Sequence, residues 1–277
     1  MASFRTEGIA IVTGAANWIG QGVANALAEA GAVAVIFADA YLEGAQAAAE
    51  NSKKLATNPI YSCQATYIDV TNPEIVAQVV RKAVDMYGRI DYFVNSAGIG
   101  SAGYDPIPEN KLDFFEKAMD VNSEGTLICS RAVIKFMENQ EPRSLVTRAG
   151  NHRDLGRGCI VNVTSAASFC AVPGQVATIA SNHAAMGVTK ATAEDCKGKG
   201  IRVNALCPGL IRTPKFEAES QKSPHVQDFI KGTVGRPAEP DEIGESVAYL
   251  CSPAASYVNG IGLLADAGLL LTVHIGT

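Results

Sequence analysis

The feature that most constrains this chain is an alternation. Short apolar, β-branched runs at 9–13, 32–38, 65–70, 91–95, 159–164, 201–207 and 262–266 alternate with Ala-rich stretches of helix length at about 19–30, 41–55, 73–87, 111–138, 175–197 and 240–251. A strand that is apolar along its whole length is buried on both faces. Strands joined through helices run parallel, and their crossovers are right-handed. The expected fold is therefore α/β: a doubly wound parallel sheet of about seven strands with helices on both faces. Ligands in such a sheet bind beyond the carboxyl ends of the strands. The 277 residues, 47% hydrophobic and 18% charged, suffice for one such domain with a full core. No second domain, repeat or low-complexity block interrupts the pattern, so 1–277 reads as a single domain. Two segments read as irregular surface. One is an insertion at 139–158, and the other, 209–230, follows the sixth strand where a substrate lid is expected.

Charge and cysteine content narrow the function. Net charge is −5 with no Lys/Arg cluster, which argues against nucleic acid or an anionic membrane as partner. Cysteines 63, 129, 159, 170, 196, 207 and 251 are scattered without CxxC spacing, so reduced buried thiols are expected and no metal site. The chain enters a strand by residue 9, unlike a signal peptide, and holds no apolar run of about 18 residues. These features point to a soluble, cytoplasmic protein.

The first strand runs into "TGAANWIG" (13–20) and then a helix. Gly14 permits a tight turn, and Gly20 is expected to permit close helix–sheet packing. The helix N-terminus offers unpaired N–H groups and a positive dipole end to a pyrophosphate. Asp39 closes the second strand, nineteen residues after Gly20. A carboxylate there accepts hydrogen bonds from ribose hydroxyls and repels a 2′-phosphate, so NAD(H) is expected over NADP(H). Asp39 also reads as the N-cap of the second helix.

With "DV" (69–70), "NSAG" (95–98), "VNSEG" (121–125), "IVNVTSAAS" (160–168), "IASNHAAMGVTK" (179–190), "IRVNALCPGLIRTP" (201–214) and "YVNGIGLLADAG" (257–268), the chain resembles the short-chain dehydrogenase/reductase family over nearly all its length. The resemblance implies a Rossmann-type fold. It places Thr13, Gly14, Asn17, Trp18, Ile19 and Gly20 at the cofactor phosphates. Asp69 and Val70 flank the adenine, and Asn95, Ala97 and Gly98 border the adenosine ribose. Pro208, Gly209 and Thr213 face the nicotinamide. Asn122 matches an asparagine that holds a helix kink and a proton-relay water, and Ser165 a serine that hydrogen-bonds the substrate carbonyl. The helices within 111–138 and 175–197 match the surface through which the family forms dimers and tetramers, so a homodimer or homotetramer is expected. The insertion and the ending "LLLTVHIGT" are similar to fungal members of natural-product pathways.

Three positions depart from the family pattern. Trp18 stands where the turn usually carries a glycine. Its side chain would crowd the pyrophosphate, but Asn17 tolerates positive φ and the cofactor is still expected to bind. Thr178, thirteen residues after Ser165, stands where the family has its tyrosine, and Asn182 where it has its lysine. Four residues apart, both project from one helix face. A threonine hydroxyl cannot replace a phenol poised near neutrality, and Asn182 brings no charge. Acid–base help of this kind is worth roughly 10²–10⁴-fold. Ketone reduction by the usual relay is thus not expected. No nearby residue restores it: Lys190 lies two helical turns on, Tyr104 is in a loop, His183 reads as packed and His152 lacks a partner.

The expected function is an enzyme with a small-molecule substrate and a nicotinamide cofactor. It either reduces an activated C=N⁺ carbon or guides a non-redox cyclisation or isomerisation, with Ser165, Asn122, Thr178 and Asn182 as site residues. The alternatives are a non-catalytic relative serving as scaffold or subunit, and an ordinary alcohol or ketone oxidoreductase with an unrecognised acid.

Overall fold

The computed structural model describes residues 4–100, 104–221 and 224–271; the end of the chain beyond 271, part of the "LLLTVHIGT" comparison, lies outside them. Seven parallel strands form the sheet: β1 (Ile9–Thr13), β2 (Ala34–Asp39), β3 (Ser62–Tyr67), β4 (Tyr92–Asn95), β7 (Gly158–Val163), β8 (Ile201–Pro208) and β9 (Gly262–Ala265). Their spatial order is β3-β2-β1-β4-β7-β8-β9. The order reverses between β1 and β4, and there a crevice opens at the carboxyl ends.

The central strands are buried on both faces, with alternate residues facing opposite ways, while the edge strands β3 and β9 are only partly covered. Ala10 and Val12 of β1 join a core with Val23 and Leu27 of α1 (Trp18–Glu29), Ala45 and Ala48 of α2 (Leu42–Ser52), and Ile243 and Val247 of α9 (Pro240–Cys251). Ile9 and Ile11 face Val76 and Val80 of α3 (Pro73–Tyr87), Ile128 and Val133 of α5 (Gly125–Met137) and Ala193 of α6 (Val176–Asp195). Where α1 crosses α9, a Cβ on Gly22 would overlap the Pro240 carbonyl oxygen, and one on Gly244 the Gly22 carbonyl oxygen. Two glycines thus set how closely these helices approach.

Several sequence expectations are corrected. β3 spans 62–67 rather than 65–70, because its last pairing, Tyr67 with Asp39, coincides with the end of β2. The stretch 111–138 is two helices, α4 (Leu112–Ala118) and α5, joined by a wider π-type turn at Met119–Glu124. The insertion is not irregular: β5 (Arg143–Val146) and β6 (His152–Gly156) form an antiparallel hairpin. Arg143 anchors it, with Nη1 3.5 Å from the buried Asp91 carboxylate and 2.9 Å from the Tyr92 hydroxyl. The expected lid holds two helices, α7 (Pro214–Gln221) and α8 (Pro224–Thr233). Each begins on a proline, whose fixed φ suits a first helical turn.

Candidate active site

A cavity of about 460 Å³ opens at the crevice, lined by Asn17, Trp18 and Ile19 at the start of α1, by Ser96–Gly100 just after β4, and by Val163, Thr164 and Ser165 at the end of β7. Asn122, Thr178, Asn182, Ala185, Thr213 and Pro214 complete its walls. The volume is that of an ordinary small-ligand site.

The glycine turn is built as a phosphate cradle. Gly14 has φ +67, and a Cβ there would lie 2.7 Å from the Ser96 carbonyl oxygen. Gly20 packs against the residues that follow β1: its missing side chain lets the Gly14 carbonyl close against the helix. Asn17 is also corrected. With φ −92 it is the extended N-cap of α1, and its Oδ1 accepts from Gly20 N at 3.0 Å. Gln21 N donates to the Asn17 carbonyl. The Trp18 and Ile19 N–H groups have no acceptor among the described residues, and both residues line the cavity. Asp39 does not cap α2, whose N-cap is Tyr41. Its oxygens instead accept from Ala16 N (2.9 Å) and Tyr41 N (2.8 Å), bracing the glycine turn from the end of β2. A carboxylate has about four acceptor sites, so two remain for ribose hydroxyls. Free N–H groups at a helix N-terminus, a glycine turn and this carboxylate fit a dinucleotide.

Other expected cofactor residues have partners within the scaffold. Thr13 is fully buried; its Oγ1 accepts from Ser96 N and Ala97 N and so fixes the strip 96–98 at the cavity wall. Asn95 turns its side chain away, donating to Asn162 Oδ1 at 2.8 Å. Asp69 accepts from the backbone and hydroxyl of Thr71, while Val70 is buried against Gly125. Pro208 and Gly209 continue the β8–β9 ladder behind the cavity. Thr213 lines the cavity and accepts from Phe216 N at the start of α7.

The catalytic candidates come together, in unexpected bonding states. Asn122 is a clamp. Its Oδ1 accepts from Ile99 N (2.8 Å), and its Nδ2 donates to the Ile99 carbonyl (3.0 Å) and to Ser181 Oγ (3.0 Å). Both amide hydrogens are occupied, so the side chain has none left to donate to a relay water. Ser165 Oγ accepts from Ala167 N at 3.1 Å, which leaves its O–H to donate into the cavity. Asn182 Nδ2 donates to the Thr178 carbonyl at 2.9 Å. The Thr178 hydroxyl oxygen is sealed from water and has no hydrogen-bond partner. Among the described residues, no side chain lining the cavity is ionisable. The neighbouring Cys207 thiol, 3.2 Å from Thr164 Oγ1, is pushed up by burial and stays protonated.

Residues considered as substitutes lie elsewhere. His183 is exposed, not packed, with Nδ1 2.9 Å from the Ile179 carbonyl oxygen. Tyr104 is 69% exposed, and Lys190 and His152 also face solvent. The seven cysteines are free, and no described cluster of His, Cys, Asp or Glu suits a metal ion. No described helix is long and apolar enough to cross a membrane. Sequence reasoning missed Ile99, Ser181 and Ser168. Ser181 is fully buried between Asn122 and the Thr178 carbonyl, and Ser168 donates to the Asn182 carbonyl. Ser181 carried a usable signal: it is a polar residue three after Thr178 on an otherwise Ala-rich helix.

The family model described as enoyl-(acyl carrier protein) reductase matches residues 14–270. The chain is 39% identical to short-chain dehydrogenase anuF of Penicillium roqueforti, over 98% of this chain and 99% of that one. It is 40% identical to short-chain dehydrogenase srdC of Neurospora crassa, over 97% and 98%. The solved structure of gox2181 is similar with TM-score 0.85 and 30% identity, covering 98% of each chain.

Proposed function

The chain belongs to the short-chain dehydrogenase/reductase family, and on that premise we propose that it is an NAD(H)-dependent oxidoreductase that delivers hydride to a carbon already activated as an iminium. The observation that carries this reading is the cavity lining, which has hydroxyls and amides but no ionisable side chain among the described residues.

When bound, the dinucleotide supplies the hydride. A ketone that accepts hydride becomes an alkoxide and needs a proton in the same event. An iminium that accepts hydride becomes a neutral amine and needs none. The protein's part is then to bind and orient. The Trp18 and Ile19 N–H groups take the phosphates, Asp39 takes the ribose hydroxyls and disfavours a 2′-phosphate, and Ser165 O–H holds a substrate acceptor atom. The setting in specialised metabolism rests on the likeness to fungal relatives. A homodimer or homotetramer built through α5 and α6 belongs to the same reading.

The same lining supports a second reading, a non-redox cyclisation. Such a step chiefly needs orientation, which supplies up to roughly 7–11 kcal/mol in the best-aligned cases.

The test is NADH oxidation by the purified full chain, followed by absorbance, with an N-methyl-dihydroisoquinolinium salt and with tetralone. Turnover of the iminium and not the ketone is expected. Turnover of tetralone at a comparable rate overturns the reading.

A further inference from the structure

Trp18 is the protein's single tryptophan, and 54% of its surface is exposed. It borders the site cavity and, on its other side, a second cavity of about 400 Å³. The two also share Thr213 and Pro214. Their chemistry differs. The second is walled by Arg212, Glu217, Glu239 and Asp241, one guanidinium against three carboxylates, with Gln21 and Asn25 of α1 opposite. Arg212 is held by Glu239 (2.6 Å) and Glu217 (3.1 Å), so its charge is neutralised within the cluster and the field reaching Trp18 from this side is net negative.

Among the described side chains that line the site cavity, Trp18 is the one aromatic, and so the one with a π face to attract a positive charge. Other walls offer aliphatic groups, neutral hydroxyls and amides. Tryptophan is the best cation–π partner among the side chains. The positive end of α1 works against a cation here, but cofactor phosphates held on the Trp18 and Ile19 N–H groups reverse that sign. A neutral carbonyl compound gains nothing from this arrangement.

Resting on the iminium reading above, we propose that Trp18 selects the substrate's charge: the site takes planar, cationic nitrogen heterocycles stacked on the indole in preference to neutral ketones of the same shape. Trp18 is thus a specificity residue where the family pattern has none.

The experiment uses the full chain saturated with 1,4,5,6-tetrahydro-NAD, which keeps the neutral ring of NADH but gives up no hydride, so binding is read without turnover. Calorimetric titration compares an N-methyl-dihydroisoquinolinium salt with tetralone. The cation is expected to bind roughly 3- to 30-fold more tightly and to quench the single tryptophan's fluorescence. Trp18→Leu should abolish the preference. Trp18→Phe, which keeps an aromatic face and guards against a folding defect, should retain part of it. Equal affinity for the two probes, binding of neither, or a preference that survives in Trp18→Leu overturns the proposal. The two readings fail separately: a cation preference without NADH oxidation sinks the reductase reading alone, and iminium reduction without a cation preference sinks this one alone.

Discussion

Asn182 donates its amide to the carbonyl oxygen of Thr178, one turn earlier on α6, at 2.9 Å. The two residues that the family resemblance sets at its tyrosine and lysine positions are therefore tied to each other through the backbone. Restoring the pair should restore the chemistry only as a pair, because groups that act as a unit are strongly non-additive. Thr178→Tyr with Asn182→Lys is expected to gain ketone reduction by on the order of 10²–10⁴-fold, and each single change to gain almost none. NADH oxidation with tetralone measures it. A single variant as active as the double would refute the coupling.

The Thr178 hydroxyl is buried without a partner. An unsatisfied buried polar group costs roughly 1–3 kcal/mol, and valine has the same shape without the hydroxyl. Thr178→Val should raise stability by about 1 kcal/mol, or about 2–4 °C in Tm for a chain of this size. It should leave iminium turnover unchanged. A fall in kcat would instead assign the hydroxyl a direct role on the substrate.

Much of this site was legible in the sequence because its positions are fixed by backbone geometry. The apolar alternation gave the strand order its elements, and Gly14 announced the turn through the positive φ it adopts. What was not legible was bonding. Asn17, Asp39 and Asn122 have the side chains expected of ligand contacts. Whether an amide or carboxylate faces a ligand or its own backbone depends on distances that spacing does not encode. Asn17 spends its oxygen on Gly20 N, and Asn122 spends both amide hydrogens on Ile99 and Ser181. The hairpin at 143–156 was missed for another reason. Its strands are short, and the contact that holds it, Arg143 on Asp91, is far apart in sequence.

Asn122 supports the cavity wall through both backbone groups of Ile99. Asn122→Ala leaves an N–H and a C=O without partners in a half-buried strip, at a cost of about 1–3 kcal/mol each if they stay dry. The expected result is a lower melting temperature and faster amide exchange at Ile99 and its neighbours. Unchanged exchange there would show that the clamp is dispensable.

Glu242 adds a small acid-sensitive contribution to stability. The Arg236 guanidinium, at 2.7 and 2.9 Å, and the Glu239 N–H lower its carboxyl to about 2. A folded-state value below the unfolded one stabilises the protein above the ordinary value of 4.5, and that contribution is lost as pH falls from there towards about 2. The pair is exposed, so the effect is small. Glu242→Gln should lower stability slightly at neutral pH and flatten its fall between about pH 4.5 and 2. Acid-unfolding curves of the two proteins decide it; parallel curves would rule out a contribution from Glu242.

The turnover profile should be flat where the fold is stable. A bell-shaped curve reports an essential acid and base, and no described side chain lining the cavity can be either. The Cys207 thiol, beside the lining residue Thr164, is pushed up by burial, away from the working range. For a permanently cationic substrate the hydride acceptor does not titrate. The kcat/KM for an N-methyl iminium is therefore expected to vary less than about two-fold between pH 6 and 8.5, the range in which His and α-amino groups titrate. A plain imine should behave differently, because it must be protonated in solution before it can accept hydride. Its rate should fall about tenfold per pH unit above its own pKa. An inflection with the permanent cation would reveal a titrating group in the site and end the proton-free reading.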